Sequence, residues 1–261
     1  EMPNTSLFRI EKLDVTNKAE RERLIESVLR DWKAIDVLIN NAGVSYRSVI
    51  EHMDDESEVH QLNVNYLAPM ALIRLVIPSM RENGAGKIIN VSSVSGMVSM
   101  PTMSSYSASK HALEGATEAL WYELRPYGIK VSLVQPGFIH SRSFEKVYFS
   151  KKAELSRDLE KPYSEYYLHM GIFIEDLMMR SFSTAEDIAK KICHLIDSKS
   201  DKLWVPVTAD AVIFYWLRKI IPRSLFHKVM YSFLPKVERW GHRGRNKTIA
   251  SKWLGSQNSL Q

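Results

Sequence analysis

The sequence predicts an α/β fold built on a doubly wound parallel sheet, because short apolar runs alternate with longer segments of helical period. The apolar runs that are typical of buried strands span residues 36–39, 87–91, 130–135 and 202–207. The segments with helical period span residues 18–32, 57–82, 107–125 and 184–196. With 261 residues, of which 45% are hydrophobic and 25% charged, the chain is long enough for one domain with a substantial core.

The segment from Ser6 to Asp14 alternates enough to predict a further strand before the first helix. Its apolar members are Leu7, Phe8, Ile10 and Leu13. Asp14 then closes this strand, and its carboxylate is suited to cap the helix that begins near Lys18.

A turn with the sequence Asn40-Asn41-Ala42-Gly43 follows the run at 36–39. Gly43 has no side chain, so backbone and ligand can approach each other closely there. The Asn40 side chain is suited to bond backbone groups that the sheet leaves open at the strand ends. Taken alone, the same letters also describe an ordinary turn.

Ser92 and Ser93 fall at the carboxyl end of the run at 87–91, the end at which parallel sheets bind ligands. A helix then begins near Tyr106, and Lys110 lies four residues further on, on the same face. An ammonium close to a phenol favours the phenolate, so we expect the pKa of Tyr106 to be lowered toward working pH. Such a tyrosine can exchange a proton with an alcohol or carbonyl oxygen, and Ser93 can donate a hydrogen bond to the same oxygen. A lone tyrosine and lysine at this spacing are more often a solvated surface pair.

Five motifs in order resemble the short-chain dehydrogenase/reductase family: the Asn40-Asn41-Ala42-Gly43 turn, Asn65, Ser93, the pair Tyr106 and Lys110, and Pro136-Gly137. The resemblance runs from about Leu7 to Val207 and implies a Rossmann-like fold that uses NAD or NADP. It implies that the catalytic residues are Ser93, Tyr106, Lys110 and Asn65. It also implies cofactor contacts from Asp14, Val15, Asn41, Ala42, Gly43, Tyr106, Lys110, Pro136, Gly137, Ile139 and Ser141. Ser141 stands where the family usually has threonine. For Asp14 capping of the following helix is an equally supported alternative to the cofactor contact, and for Asn65 a purely structural hydrogen bond is the alternative to a proton relay.

The family's glycine-rich TGxxxGxG turn is absent from the sequence, as are the first two strands that flank it. We therefore expect an N-terminally shortened version of a complete enzyme, in which the run at 36–39 forms an unpaired sheet edge. The resemblance also implies that a chain shortened in this way folds poorly or borrows strands from a partner.

Residues 142–183 show little regular period and many large apolar groups, which is typical of a lid inserted between sheet elements. These groups are Phe144, Tyr148, Phe149, Tyr163, Tyr166, Tyr167, Met170, Phe173, Met178 and Met179. Together with Met97, Met100 and Met103 they predict a roomy apolar pocket for a steroid-, retinoid- or lipid-like substrate. Each aromatic residue is equally explained by packing of the lid onto the body.

We divide the chain into a catalytic domain, residues 1–209, and a basic, apolar tail, residues 210–261. Residues 211–261 contain ten Lys or Arg and one acid, giving +9, whereas the remaining 25 basic and 29 acidic residues give −4. An apolar helical face between Pro222 and Pro235 with basic neighbours is suited to an anionic membrane surface. Covering the active site or forming a dimer interface are alternatives.

The sequence indicates a cytoplasmic protein, peripheral to a membrane at most, because no apolar run approaches the ~20 residues of a membrane span. The lone Cys193 excludes an internal disulfide. No nucleic-acid-binding module is recognisable, and we assign no metal site. By resemblance we expect a homo-oligomer formed through the helices at 57–82 and 107–125.

The hypothesis for function is an NAD(P)-dependent oxidoreductase that interconverts an apolar alcohol and its ketone or aldehyde. The alternative is a non-catalytic remnant or binding scaffold that keeps the catalytic residues but has lost cofactor binding.

Overall fold

A computed structural model describes residues 8–141, 147–157 and 161–241 of the chain. Its helices are α1 Lys18–Trp32, α2 Asp55–Leu62, α3 Ala68–Glu82, α4 Ser104–Leu124, α5 Lys151–Leu155, α6 Ser164–Met179, α7 Ala185–Asp197, α8 Ala209–Ile220 and α9 Arg223–Ser232. Its strands are β1 Val37–Asn40, β2 Tyr46–Arg47, β3 Gly86–Val91, β4 Ile129–Gln135, β5 Tyr148–Phe149 and β6 Trp204–Pro206. Within the described residues, no helix is long and apolar enough to span a membrane.

The central sheet has the order β1-β3-β4-β6, and all of its strand pairs are parallel. Ile88 and Val131 face a core formed with α1, α3 and α4, whereas Ile89 and Val134 face a second core formed with α7. Side chains of neighbouring residues point to opposite faces of a strand, so continuous apolar strands bury both faces. The predicted doubly wound parallel sheet is therefore confirmed.

The predicted strand from Ser6 to Asp14 is wrong at residues 9–14, which form neither strand nor helix, whereas Phe8 lies in a single β-bridge. A strand needs a neighbour that pairs with its backbone groups, and this segment lies against α1 instead. The Arg9 guanidinium binds Asp31 at 2.9 Å and lies over the Trp32 ring. The free edge of β1 stays without a partner strand among the described residues, as the sequence predicted.

Two helices differ in an informative way from the sequence expectation. The helix expected over 57–82 is interrupted by a π-helical turn, Asn63–Leu67, between α2 and α3. The 142–183 insertion, expected to be irregular, contains the 16-residue α6. α6 carries apolar residues on nearly all sides, so its sequence lacks the one-sided period by which a surface helix is recognised.

The helix caps agree with the sequence chemistry in one case and differ in another. Thr184 and Asp187, a residue pair typical of helix starts, form a capping box at the start of α7. α1 is capped by Asn17, whose side chain accepts a hydrogen bond from the Glu20 backbone N–H. The interpretation of Asp14 as the cap is therefore wrong.

A chain of buried amides ties the strand ends to α4. Asn40 donates to Asn90 at 2.8 Å, and Asn90 donates to the Thr117 hydroxyl at 2.9 Å. These two hydrogen bonds thus join β1, β3 and α4 directly below the carboxyl end of the sheet. The sequence predicted that Asn40 holds strand ends together, and the bond is made to a side chain rather than to backbone.

We predict that Asn90→Leu lowers the free energy of unfolding by about 2–4 kcal/mol, because Asn40 and Thr117 then lose their buried partner. Urea denaturation followed by circular dichroism measures the change. Asn83→Leu, at the exposed end of α3, is the control and should cost less than about 0.5 kcal/mol. Equal costs for the two variants would contradict a stabilising role of the amide chain.

Candidate active site

A cavity of about 540 Å³ opens at the carboxyl ends of β3 and β4. Ser93, Tyr106 and Lys110 all line it, so the structure brings together three of the four predicted catalytic residues. Ser93 lies two residues after the end of β3, while Tyr106 and Lys110 occupy the first two turns of α4. Because α4 packs along the sheet beside β3 and β4, these residues form one wall of the cavity although they are separated in the sequence.

Ser93 is held in position by the turn that it starts. It has extended backbone and caps the short 3₁₀ turn Val94–Gly96, and its Oγ accepts a hydrogen bond from the Ser95 backbone N–H at 3.1 Å. The hydroxyl hydrogen of Ser93 is therefore left available for another acceptor.

Lys110 is anchored to the sheet rather than to the Tyr106 hydroxyl. Its ammonium donates to the Val91 carbonyl at 2.9 Å and lies 5.9 Å from the Tyr106 ring centroid. Burial lowers the pKa of Lys110 to about 8, while the charge of Glu114 acts in the opposite direction.

The pKa of Tyr106 is raised by burial, and the Ser93 side chain opposes that shift as a hydrogen-bond partner. The sequence argument predicted a pKa lowered by Lys110, and this direction is wrong for the site in the structure. The reason is physical: removal of the phenol from water disfavours the phenolate more than the neighbouring groups stabilise it.

Glu114 belongs to this site and was missed by the sequence reasoning. Its Oε1 accepts hydrogen bonds from Ser92 Oγ at 2.8 Å and from Gln135 Nε2 at 2.9 Å, and burial raises its pKa. A side chain at Gly96 would collide with this carboxylate, since a Cβ there would lie 2.3 Å from Oε1. The available signal was the spacing, because Glu114 continues the face of Tyr106 and Lys110 by one further turn.

Asn65, the fourth predicted catalytic residue, lies behind the cavity wall in the π-helical turn. Its amide donates to the Val44 carbonyl and to the Ser109 hydroxyl, and its Oδ1 accepts from the Val44 N–H. These bonds fix the backbone just after Gly43. A Cβ added at Gly43 would lie 3.4 Å from Asn65 Oδ1 and 3.8 Å from Lys110 Nζ. The described contacts of Asn65 are structural, and its relay role stays a prediction.

The Pro136-Gly137 loop is held by the start of the C-terminal region. The Thr208 hydroxyl accepts from the Gly137 N–H and the Asp210 carboxylate accepts from the Phe138 N–H, both at 2.8 Å. A Cβ at Gly137 would meet that carboxylate at 2.0 Å, which explains why glycine stands there. The proposed boundary at residue 209 therefore cuts through contacts that support the site.

The residues predicted to bind a cofactor divide between two neighbouring cavities. Asn41, Gly43, Tyr106, Lys110, Pro136, Gly137 and Ile139 line the main cavity. Val15, Asn41 and Ala42 line a second cavity of about 230 Å³ beside β1. Neither lining includes Asp14 or Ser141. The Asp14 carboxylate instead accepts hydrogen bonds from the N–H and hydroxyl of Thr16, which lower its pKa.

The remaining wall of the main cavity is largely apolar. Its apolar members include Val44, Val94, Met100, Met103, Phe138, Val147, Tyr148, Ile174 and Met178. Four of the expected lid residues and methionines, Tyr148, Met178, Met100 and Met103, are thus at the cavity, whereas Met97 packs under α8 and α9. Met170 and Phe173 pack the lid onto the body, and Phe144 lies outside the described residues.

Arg47 also lines this cavity and was missed, because the sequence offered no pattern other than its place in a short strand after the Gly43 turn.

Among the described residues, no cluster of side chains has the composition of a metal site.

Comparisons with known proteins agree with this geometry. The family model of the short chain dehydrogenases matches residues 3–151. The 3-ketodihydrosphingosine reductase of Bacteroides thetaiotaomicron is 40% identical over 134 residues, which are 51% of this chain and 50% of that protein. The chain therefore spans half the length of this relative.

Two solved structures extend the comparison over more of the chain. A short-chain dehydrogenase from Streptomyces avermitilis is 29% identical with a TM-score of 0.70, covering 88% of this chain and 79% of its own. A metagenomic short-chain oxidoreductase in complex with NADP is 26% identical with a TM-score of 0.56. This match covers 76% of this chain and 72% of the oxidoreductase. With the family model matching more than half of its residues, the chain belongs to the short-chain dehydrogenase family.

Proposed function

We propose that the protein is an NAD(P)-dependent oxidoreductase that interconverts an alcohol with its ketone or aldehyde on an apolar, lipid-like substrate. The observation that carries the proposal is that Ser93, Tyr106 and Lys110 line one cavity whose other walls are mostly apolar. A proton donor and a hydrogen-bond donor facing one point in a water-poor pocket are suited to a carbonyl oxygen.

The residues at this end of the sheet fit a nicotinamide cofactor. Gly43 leaves the backbone open to close approach, and the loop at residues 136–139 is fixed by hydrogen bonds from its N–H groups to Thr208 and Asp210. The related metagenomic oxidoreductase was solved with NADP. Gly43, Lys110 and the 136–139 loop would hold the nicotinamide and its ribose, and the bound group would supply or accept the hydride.

In the direction of reduction, Tyr106 donates the proton that the substrate oxygen needs as its carbon receives the hydride. Ser93 donates a hydrogen bond to the same oxygen and so stabilises the negative charge that develops there. The Lys110 ammonium adds positive charge beside Tyr106, which eases departure of the phenolic proton. Asn65 holds the adjoining loop and is the candidate for passing protons onward.

The substrate class follows from the cavity wall and from one relative. Methionine side chains adapt to irregular chains, and Met100, Met103 and Met178 line the cavity. The Bacteroides relative is named for reduction of 3-ketodihydrosphingosine, a long-chain ketone. We therefore favour a lipid-like ketone over a steroid or retinoid.

We also propose that the protein acts as a homo-oligomer at a membrane surface. Val59 and Leu62 on α2 and Leu67 in the following π-helical turn are exposed, which supports a subunit interface there.

For the membrane surface, the supporting residues are Ile213, Trp216 and Ile220, which are exposed on one face of α8. The nearby cations of Lys219, Arg223 and Lys228 suit an anionic lipid surface.

Tyr106→Phe removes the proton donor, so we expect turnover to fall by about 10²-fold or more while the fold is kept. Steady-state oxidation of NADPH and NADH with long-chain ketones measures it. Tyr122→Phe, on the exposed side of α4, is the control and should leave turnover unchanged. Full activity of Tyr106→Phe would refute the assignment, and wild-type inactivity despite binding of ketone would favour the scaffold alternative.

Ketone reduction should slow as pH rises through about 8, because the buried Lys110 loses its proton there. The raised pKa of Tyr106 keeps the phenol protonated over the same range. The logarithm of kcat/KM for a ketone, measured from pH 6 to 10, tests this. Lys110→Met should lower kcat/KM throughout and lose the step near pH 8, whereas a wild-type profile that stays flat to pH 9.5 would exclude the role of Lys110.

Ile213→Asp should weaken sedimentation with anionic vesicles, because it places a carboxylate on the exposed apolar face of α8. Leu155→Asp on α5 is the matched control, since Leu155 is 65% exposed and Ile213 58%. Vesicles with phosphatidylserine are compared with neutral vesicles. Equal binding of both variants and of wild type would refute this surface as the membrane contact.

A further inference from the structure

The wall of the main cavity contains a buried arginine. Arg47 is 8% exposed, lies on β2 and lines the cavity. β2 is held in place by parallel pairing with β5, in which Arg47 is opposite Phe149. The guanidinium is therefore carried by a paired strand, although the rest of this wall is mostly apolar.

Arg47 has an unmet requirement for a partner. Its Nε is buried and makes no hydrogen bond to any described residue. The Oγ of Ser45, two positions earlier along the same segment, is likewise buried and unpartnered within the described part of the chain, and Ser45 also lines the cavity. Buried charges are normally paired, because desolvation of an unpaired charge is costly.

The charge of Arg47 is present at working pH. Burial lowers its pKa to about 10, and the carboxylate of Glu175 on α6 opposes that shift. A guanidinium with this pKa is fully protonated at pH 7. Glu175 thus influences the site through its charge, while the Nε donor stays open.

We propose that Arg47 and Ser45 form a subsite for an anionic oxygen group, a carboxylate or a phosphate, at one end of the substrate. This inference rests on the proposed function, and it narrows the substrate to an amphiphile with an apolar chain and an acidic head. A guanidinium recognises such groups through charge-assisted hydrogen bonds, and Ser45 adds a neutral donor beside it. A cationic amine head is disfavoured beside Arg47, so an amine-bearing ketone such as 3-ketodihydrosphingosine is not the substrate that this subsite predicts.

Isothermal titration of the full chain with octyl phosphate, octanoate and octan-1-ol tests the subsite without any turnover. We expect at least one anion to bind wild-type protein about ten- to hundredfold more tightly than the alcohol, the range of one or two charge-assisted bonds. Octyl phosphate as the tighter ligand identifies a phosphate head, and octanoate a carboxylate head. Arg47→Gln should remove the preference, Arg47→Lys should keep part of it, and Arg23→Gln, on the exposed side of α1, should leave it intact.

Equal affinities of the wild type for both anions and the alcohol, or an unchanged anion preference in Arg47→Gln, would overturn the proposal. Circular dichroism monitors the fold of each variant. If Arg47→Gln does not fold, Ser45→Ala provides the test, and its affinity for the anion should drop severalfold while octan-1-ol binding is unchanged. The readout is independent of Tyr106: a Tyr106→Phe protein should retain the anion preference, so failure of the subsite and failure of the proposed reaction are distinguishable.

Discussion

Satisfaction of buried polar groups at the carboxyl end of the sheet is the constraint on which the site depends. α4 crosses this end and supplies three polar side chains along one face: Lys110 to the Val91 carbonyl, Glu114 to Ser92 and Gln135, and Thr117 to Asn90. Each is buried, so each needs its partner to avoid a desolvation cost. The same contacts that dock α4 therefore set the distance between Tyr106 and Ser93. The hydrogen bonds that stabilise the docking of α4 are therefore also the ones that position Tyr106 and Ser93.

Burial also decides the electrostatics of this arrangement. It raises the pKa values of Tyr106 and Glu114 and lowers that of Lys110, so in every case the neutral form gains. Neighbouring charges and hydrogen bonds oppose these shifts without reversing them. A phenol in such surroundings stays protonated, which is the form that can donate to a carbonyl oxygen, while its raised pKa makes it a weaker acid.

The sequence was sufficient for the sheet and for bringing Ser93, Tyr106 and Lys110 to one cavity. Both depend on local patterns: continuous apolar runs, and polar residues at a strand end and at an i, i+4 spacing on the next helix. It failed at residues 9–14, where alternation was present but no neighbouring strand exists among the described residues to pair with it. It could not reveal α6, whose apolar residues lie all around. The direction in which the pKa of Tyr106 shifts depends on burial, and the support of the Gly137 loop by Asp210 depends on a contact between residues far apart in the sequence. The spacing of residues along the sequence encodes neither.

The buried cations differ in how their charges are compensated, and the difference separates scaffold from ligand site. Lys87 donates to three carbonyls at the end of α7, those of Leu195, Ile196 and Ser198, at 2.6–2.9 Å, where the helix dipole favours a cation. Lys110 likewise ends on a carbonyl of the sheet. Arg47 is buried to a similar degree, but its Nε has no partner among the described residues. Arg47 therefore differs from these two lysines in having a buried donor that the described part of the fold does not satisfy. The cavity lining thus contains polar groups of two kinds, the set Ser93, Tyr106 and Lys110 and the buried Arg47, among mostly apolar side chains.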